Sequence, residues 1–276
     1  MERTLQEIER SIIKKYRKYI WSKFIKAIRE YELIEENDKI AVCMSGGKDS
    51  LLMAKLFQEL KKHGKNNFEV EFIAMNPGYT KENLEREIYN FEYLNIPYKM
   101  FDTDIFQVTS DLVKKGNECY MCARMRRGAL YAKAKELGCN KIALGHHFDD
   151  VIETILLNIL CSGNYKTMMP KLNSNNFENM QLIRPLYLVR EESIINWLNY
   201  TGLQALDCAC TVTKQKNSSK RFEIKRLIRN LSKEGFTNVE QSIFMSSQNV
   251  DINRVLGYEK DGKYVSFLDE YGQNDL

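Results

Sequence analysis

The pattern of apolar positions predicts that the chain begins with one amphipathic helix, from about residue 4 to residue 31. Apolar residues recur there at helical spacing, at Leu5, Ile8, Ile12, Ile13, Tyr16, Ile20, Phe24 and Ile28. The opposite face is basic and carries Lys14, Lys15, Arg17, Lys18, Lys23 and Lys26. Basic faces of this kind are typical of solvated helices, and they also suit a polyanion. We assign residues 1–36 to this N-terminal basic helix.

From residue 37 to residue 203, short apolar strands alternate with helical segments. The strands are predicted at KIAVCM, EVEFIAMN, IPYKMFD, CNKIALG and QLIRPL, and the helices at 49–63, 81–94, 125–137, 149–160 and 191–200. This alternation predicts parallel βαβ units, which build an α/β fold with a doubly wound parallel sheet. The pattern then changes, and residues 204–276 are predicted to form a small helical C-terminal extension with helices at 220–232 and 239–249.

The composition limits the class of protein without deciding it. With 276 residues, 43% of them hydrophobic, the chain is long enough for one or two domains. Its net charge of +4 is compatible with nucleic acid but does not require it. No apolar run approaches the roughly 18 residues of a membrane span, so we expect a cytoplasmic protein with no membrane partner and with reduced cysteines. Three cysteines stand singly in apolar patterns and are predicted to be core residues, namely Cys43, Cys139 and Cys161.

A glycine loop joins the first predicted strand to its helix. Its sequence SGGKDS comprises Ser45, Gly46, Gly47, Lys48, Asp49 and Ser50. Glycines allow backbone N–H groups to converge on an anion, and the start of the helix adds its positive end. The loop lies at the carboxyl end of a strand, where open α/β sheets bind ligands. These properties predict a phosphate site.

Two features narrow the chemistry of this loop. It is not a Walker A sequence, which requires GxxxxGK[ST], because Asp49 follows Lys48. An acidic residue inside a phosphate loop suggests Mg²⁺ between its carboxylate and the phosphates. The structural alternative is a tight turn in which Gly, Ser and Asp serve only as turn and cap residues.

A second acidic motif follows the fourth predicted strand, in ALGHHFDDVIETILLNIL. The strand ends at Gly145, and Asp149, Asp150 and Glu153 open the next helix. These carboxylates could simply cap the helix, or they could hold Mg²⁺ against a nucleotide, since we expect the fourth strand to lie beside the first. The preceding His146 and His147 could be metal ligands or bases, or could position the backbone or face phosphate.

The cysteine pairs are the most distinctive feature of the chain. Cys119 and Cys122 form a CxxC at a predicted helix start, followed by Arg124, Arg126 and Arg127. Arginines lower the pKa of nearby thiols and attract phosphate. A CxxC alone is compatible with a redox pair, half of a zinc site, cluster ligands or a chance pair. A second pair, Cys208 and Cys210, forms a CxC just before a basic stretch at 214–229 that could contact nucleic acid or be a solvated helix face.

The motifs together identify a family. SGGKDS resembles the signature of the PP-loop ATP pyrophosphatase superfamily. The string CxxCxRxRRGxLY, with GHHFDD, MMPKL and IRPL, closely resembles the tRNA 2-thiocytidine synthetase family from about residue 39 to residue 228. The resemblance implies an ATP-dependent sulfurtransferase that adenylates the C2 oxygen of cytidine-32 in the tRNA anticodon loop and replaces it with sulfur. ATP would be cleaved to AMP and pyrophosphate.

The resemblance also implies roles for individual residues. The loop 45–50 would bind ATP, with Met75 near adenine and Gly145 in the adjoining strand end. The catalytic residues would be Asp49, Asp149, Asp150 and Cys210. The implied partners are tRNA and a sulfur donor, either a cysteine desulfurase or hydrosulfide, and a homodimer is allowed.

A [4Fe–4S] cluster held by three cysteines is implied as well, and two of them match Cys119 and Cys122. The family carries CxxC where this chain has CxC. Counting back from Arg221, Ile224 and Leu227 places Cys210 at the ligand position and leaves Cys208 as an extra thiol, which could be an alternative or fourth ligand, a sulfur relay or a bystander. Three thiolates leave one iron open to bind hydrosulfide. Zinc is the rival metal, because cysteine-only sites suit both.

Other functions stay open at this point. A tRNA lysidine synthetase has a similar loop and GHHxDD motif, but it needs no cysteine cluster. A paralogue that thiolates another substrate would fit the changed CxC. A non-enzymatic iron–sulfur or zinc RNA-binding protein is a third class, against which the intact SGGKDS argues.

Overall fold

The computed structural model describes residues 3–64, 67–112, 118–206 and 220–271. These residues include a six-stranded sheet of β1 (Lys39–Met44), β2 (Glu69–Asn76), β3 (Tyr98–Asp102), β4 (Lys141–Ala143), β5 (Lys171–Asn173) and β6 (Gln181–Ile183). The strands are ordered β3-β2-β1-β4-β6-β5, and only β5 is antiparallel to its neighbour. The five predicted strands are confirmed. The edge strand β5 was not predicted, because its three residues carry too little periodicity.

Helices cover both faces of the sheet, which confirms the doubly wound α/β fold. They are α1 (Leu5–Ile13), α2 (Ser22–Glu30), α3 (Lys48–His63), α4 (Lys81–Tyr93), α5 (Ile105–Leu112), α6 (Glu118–Glu136), α7 (Phe148–Ser162), α8 (Glu191–Thr201), α9 (Lys220–Lys233), α10 (Val239–Ser246) and α11 (Phe267–Glu270). One face buries a core that includes Phe24, Leu52 and Trp197. The other buries Ile73 and Ile142 against Tyr131 of α6.

The strand order reverses between β1 and β4. The chain runs outward from β1 to β2 and β3, and then returns to place β4 on the other side of β1. Open α/β sheets bind ligands in the crevice that forms at such a reversal. The loops β1–α3 and β4–α7 therefore meet at the ligand edge, as predicted.

The prediction of one continuous N-terminal helix is wrong. A π-helical turn, Arg17–Trp21, separates α1 from α2. The buried residues Ile8, Ile12, Tyr16, Ile20, Phe24 and Ile28 recur every four residues. In an α-helix that spacing rotates the apolar stripe by about 40° at each step. The wider π turn takes up extra residues and keeps the stripe on the core.

The C-terminal helices α9 and α10 confirm the two predicted there, and they pack on α7. Ile224, Ile228 and Phe244 are buried in the same core as the sheet helices, and the rings of Phe244 and Phe148 lie 4.8 Å apart. A short hairpin follows, formed by β7 (Gly257–Lys260) and β8 (Lys263–Ser266). The predicted domain boundaries stay predictions, but the C-terminal helices share one core with the sheet.

The prediction for the single cysteines is right for two of them and wrong for the third. Cys43 and Cys139 are buried, whereas Cys161 is exposed. The last turn of α7 is exposed around it, with Leu160 58% exposed, so its apolar pattern does not face the core. In the described residues, no helix is both long and apolar enough to span a membrane.

Candidate active site

The glycine loop is closed by its own side chains and leaves the start of α3 open. Ser50 Oγ accepts a hydrogen bond from the Ser45 N–H (3.1 Å) and donates to the Gly47 carbonyl (2.9 Å). Gly47 is the N-cap of α3, and no side chain caps the helix there. The first N–H groups of a helix have no partner within the helix and carry its positive end. The loop therefore has the properties of an anion site, as the sequence predicts.

Gly46 is required by conformation and by space. Its φ is +67°, and a Cβ built on it would lie 2.7 Å from Leu206 Cδ1. An L-residue in the left-handed region costs about 1–2 kcal/mol. The contact with Leu206 adds a steric clash to that cost.

We expect Gly46→Ala to weaken the binding of a non-hydrolysable ATP analogue by at least about tenfold, because the loop must shift to admit the methyl group. Gly163→Ala is the matched control. Gly163 has a similar φ of +61°, but a Cβ there meets nothing within 4 Å. Both variants should lose stability in thermal unfolding, and only Gly46→Ala should lose affinity in calorimetry. Equal affinities would contradict the assignment of the loop.

Asp49 is the carboxylate of the glycine loop, and one of its two oxygens makes no hydrogen bond within the described chain. Lys48 Nζ lies 3.0 Å from Asp49 Oδ2 and 3.3 Å from Glu191 Oε1. Asp49 Oδ1 is buried and has no hydrogen-bond partner in the described chain. Burial raises the pKa of Asp49, against the opposing charges of His147 and Lys48. A free, buried carboxylate oxygen beside a phosphate loop fits Mg²⁺, which is held by one or two carboxylates and by substrate phosphates.

Gly145 brings the β4–α7 loop against this carboxylate. A Cβ on Gly145 would lie 3.2 Å from Asp49 Cβ and 3.3 Å from its carbonyl carbon. Only a residue without a side chain allows this approach without displacing α3. The second acidic motif is thereby placed beside the glycine loop.

His147 and Asp150 fix the start of α7. The His147 N–H donates to Asp150 Oδ2 (3.0 Å), and the Asp150 N–H donates to His147 Nδ1 (3.4 Å). Asp150 Oδ1 accepts from Arg221 (3.0 Å). Burial alone would raise the pKa of Asp150, but His147 and Arg221 bring it below its usual value. Burial, with the charge of Arg184, lowers the pKa of His146 to about 4, so this imidazole is neutral.

Asp149 has a different set of partners from Asp150. Its carboxylate accepts from Arg190 Nε (3.3 Å) and from the Glu191 N–H (2.7 Å). These contacts hold the beginning of α8 against α7. A role of Asp149 at the metal or at an adenylated base stays a prediction. The contacts that its carboxylate makes are with Arg190 and the Glu191 N–H, at the beginning of α8.

Two basic residues of α9 are paired with carboxylates of the site. Arg221 also lies 3.4 Å from Glu153 Oε2, and Lys225 pairs with Glu191. Burial and the nearby Asp150 raise the pKa of Glu153 to about 7. Burial alone would raise the pKa of Glu191, but Lys225 and Lys48 lower it to about 2. These two residues therefore help to build the site, which reduces the basic surface predicted for tRNA.

The remaining predicted residues divide into described and undescribed positions. Met75 is buried near the end of β2. Cys119 and Cys122 lie one turn apart at the start of α6, and Cys122 is half-buried. The helix start favours thiolates. Cys208 and Cys210 lie outside the described residues. In the described parts of the chain, no three His, Cys, Asp or Glu side chains form a metal-binding group.

The chain returns to the glycine loop just before the second cysteine pair. The Leu206 N–H donates to the Gly46 carbonyl (2.9 Å), and the Leu206 side chain packs on Gly46. Leu206 is the last described residue before the segment that carries Cys208 and Cys210. This segment therefore starts at the glycine loop.

Comparison with known proteins agrees with this geometry. A family model described as a PP-loop domain matches residues 15–233. A tRNA-cytidine(32) 2-sulfurtransferase of Shewanella sediminis is 34% identical over 253 residues, which cover 90% of this chain and 78% of the relative. The enzyme of the same name from Aliivibrio fischeri is 37% identical over 230 residues, covering 81% and 72%. The chain belongs to the tRNA-cytidine(32) 2-sulfurtransferase family of PP-loop proteins.

A solved structure supports the fold. The U34-tRNA thiolase NcsA from Methanococcus maripaludis with its [4Fe-4S] cluster matches with a TM-score of 0.65 at 24% identity, covering 87% of this chain and 80% of that one. At this identity the match shows the shared fold alone. The predicted family, fold class and PP-loop transferase class of the 2-sulfurtransferase are thus confirmed.

Two residues of this site were not predicted from the sequence. Glu191 holds Lys48, and Leu206 packs on Gly46. Neither belongs to a motif that was recognised. The only available signal was position, since Glu191 opens a helix and Leu206 follows one.

We expect Asp149→Ala to lower the free energy of unfolding by about 1–3 kcal/mol, because the half-buried Glu191 N–H and Arg190 lose their acceptor. Urea denaturation measures this loss. Asp251→Ala is the control, since Asp251 caps an exposed short helix through Asn253 and should cost less than about 1 kcal/mol. A fully stable Asp149→Ala would show that the carboxylate does not hold α8.

Proposed function

We propose that this protein is an ATP-dependent, iron–sulfur-dependent tRNA thiolase. It adenylates the C2 oxygen of a cytidine in the anticodon loop, cytidine-32, and replaces that oxygen with sulfur. The observation that carries the proposal is the return of the chain at Leu206 to the Gly46 carbonyl, four residues before Cys210. The chain that leads to the proposed third cluster ligand therefore contacts the proposed phosphate loop at Leu206. Membership of the 2-sulfurtransferase family supports the same substrate.

The loop 45–50 holds the β and γ phosphates of ATP in this proposal. Its free N–H groups and Lys48 supply donors, and Asp49 Oδ1 supplies the carboxylate oxygen for Mg²⁺. The charge of Asp150 raises the pKa of Asp49, which supports Asp150 as a second carboxylate near the metal in this proposal. Asp149 holds α8 in place behind them. Met75 and Gly145 lie at the ends of β2 and β4, where the adenosine would bind.

The reaction has two balanced steps. The C2 oxygen attacks the α phosphorus of ATP, and pyrophosphate leaves. A hydrosulfide then adds to C2, AMP departs with the original oxygen, and the S–H proton is lost. Cys119, Cys122 and Cys210 would hold the [4Fe–4S] cluster, and the cluster would supply an iron without a protein ligand as a binding place for hydrosulfide.

The tRNA would approach over the basic helices. Arg226 and Arg229 are exposed on α9, and Lys18 is exposed at the N-terminal helices. Arg221 and Lys225 are held by the site, and Lys15 lies over the Tyr200 ring at 4.2 Å. Fewer basic side chains are therefore available to contact tRNA than the number of basic residues in these helices suggests. The sulfur donor would be hydrosulfide or a cysteine desulfurase, and the homodimer and the cytoplasmic location stay predictions.

Mass spectrometry of tRNA nucleosides from a strain with and without the gene tests the function. We expect 2-thiocytidine to disappear on deletion and to return with the wild-type gene but not with Asp49→Asn. Loss of another thionucleoside would identify a paralogue, and loss of lysidine would identify a lysidine synthetase. An unchanged nucleoside profile, with no tRNA-dependent pyrophosphate release by the purified protein, would contradict the proposal.

A further inference from the structure

Glu87 on α4 is a buried carboxylate that the proposed reaction does not use. Its side chain has no exposed surface, and neither of its oxygens has a hydrogen-bond partner in the described chain. Buried carboxylates are ordinarily paired or hydrogen-bonded, because an unpaired charge away from water is costly. An unpaired carboxylate at full burial therefore calls for a function or for a proton.

Glu87 lies directly against the glycine loop. A Cβ on Gly46 would come within 3.2 Å of Glu87 Cγ and 2.7 Å of Leu206 Cδ1. Glu87 and Leu206 thus form the wall on which Gly46 packs. Because this wall adjoins the glycine loop, a charge on it, or the removal of that charge, would act on phosphates bound by the loop.

The groups that face Glu87 do not neutralise it. Among the described residues, Arg126 of α6 is the cation whose field reaches it, and Tyr98 of β3 is the other titratable group that it influences. Neither makes an ion pair or hydrogen bond with the carboxylate oxygens. Burial raises the pKa of Glu87 to about 7, with Arg126 opposing the shift. Near neutral pH the empty site therefore contains both the neutral and the ionised form.

Bound phosphates would change this balance in one direction. They bring several negative charges to the loop, and like charges disfavour the ionised form of a neighbouring acid. Binding of phosphates must then favour the neutral carboxyl, and the neutral carboxyl must favour binding of phosphates to the same extent.

We propose that Glu87 is a positioning residue of the phosphate loop that takes up a proton when a nucleotide binds, so that a neutral carboxyl stands behind the bound phosphates. Where Glu87 is ionised in the empty site, a proton passes from solvent to one of its oxygens on binding and returns to solvent when pyrophosphate leaves. Once the site is empty, Glu87 ionises, and its negative charge opposes rebinding of pyrophosphate. The inference rests on the proposed function in taking a nucleoside triphosphate as the ligand.

The sign of the pH dependence follows from this linkage. The ligand favours the protonated form, so affinity is highest below the pKa of Glu87 in the empty site. Affinity falls as pH rises through that pKa toward the higher pKa of the complex. For a shift of one to two pKa units on binding, nucleotide affinity is expected to fall about tenfold between pH 7 and pH 9.

Calorimetry counts the proton directly. The full chain is titrated near pH 8 with a non-hydrolysable ATP analogue and saturating Mg²⁺, in two buffers that differ in enthalpy of ionisation. We expect the wild type to take up about half a proton more than Glu87→Gln, whose amide has the shape of the neutral carboxyl. The comparison cancels protons exchanged by Asp49 and by the nucleotide. Glu59→Gln is the control, because Glu59 is a buried carboxylate on α3 that is paired with Lys62.

The outcomes separate this inference from the proposed function. Equal proton uptake by the wild type and Glu87→Gln would overturn the inference while leaving the nucleotide site intact. If Glu87→Gln fails to fold, a wild-type affinity that is constant between pH 7 and pH 9 overturns it instead. Absence of nucleotide binding by the wild type would overturn the proposed function and this inference together.

Discussion

Asp49→Asn is expected to lower tRNA-dependent pyrophosphate release by a factor of about 100 to 1,000. Asparagine keeps the size of the side chain but removes the negative charge that a bound Mg²⁺ requires. Asp49 Oδ1 has no hydrogen-bond partner in the described part of the chain, and His147 Nε2 lies 3.8 Å away, so the change breaks no hydrogen bond there. The contact of the other oxygen with Lys48 weakens, but Glu191 still holds Lys48 at 3.3 Å.

The stability of this variant should not fall with its activity. Burial raises the pKa of Asp49 against the opposing charges of His147 and Lys48, so the fold disfavours the ionised carboxylate. Removal of that charge should leave the midpoint of thermal unfolding unchanged or slightly higher. A parallel loss of stability would mean that Asp49 supports the structure rather than the metal.

The control for Asp49→Asn is the same chemical change at an exposed site. Asp104→Asn should keep the rate of pyrophosphate release within about twofold, because Asp104 is exposed before α5. Both variants should keep the iron content of an anaerobic preparation. Near-normal turnover of Asp49→Asn would contradict the assignment of the glycine loop to Mg²⁺ and ATP.

Cys210→Ala is expected to abolish iron binding, whereas Cys208→Ala should retain it. Both cysteines lie outside the described residues, so this expectation rests on their positions in the sequence. The distance along the chain from Cys210 to Arg221 and Ile224 fits the family. The structure fixes those two landmarks, since Arg221 pairs with Asp150 at 3.0 Å and Ile224 is buried. Two ligands separated by Ala209 alone would also strain a shared cluster.

Iron content and visible absorbance after anaerobic reconstitution measure this prediction. Cys119→Ala and Cys122→Ala should behave like Cys210→Ala. Cys161→Ala, which removes an exposed thiol from α7, should behave like the wild type. Loss of iron in Cys208→Ala with retention in Cys210→Ala would show that the register is wrong. Zinc in place of iron in the wild type would show that the cofactor is wrong.

The large elements of the fold could be predicted because each one carries its own pattern. The strand KIAVCM coincides with β1 (Lys39–Met44), and the following helix was misplaced by one residue at its start. The three-residue β5 was missed because three residues do not establish a period. The π-helical turn Arg17–Trp21 was missed because a four-residue spacing looks helical until its drift is followed across the whole segment.

The sequence by itself determined the local chemistry of the site: a glycine loop after a strand, carboxylates and histidines after another strand, and cysteines at a helix start. Only the tertiary structure decided which carboxylates are hydrogen-bonded to distant side chains. Asp49, Asp149 and Asp150 look alike in sequence. Asp149 accepts a hydrogen bond from Arg190 and Asp150 accepts one from Arg221, which lie 41 and 71 residues away along the chain. Glu87 is likewise ordinary in sequence, and it is buried against Gly46 with no hydrogen-bond partner among the described residues. Local patterns record the propensity of neighbouring residues, whereas pairing and burial arise from contacts that only the folded chain brings together.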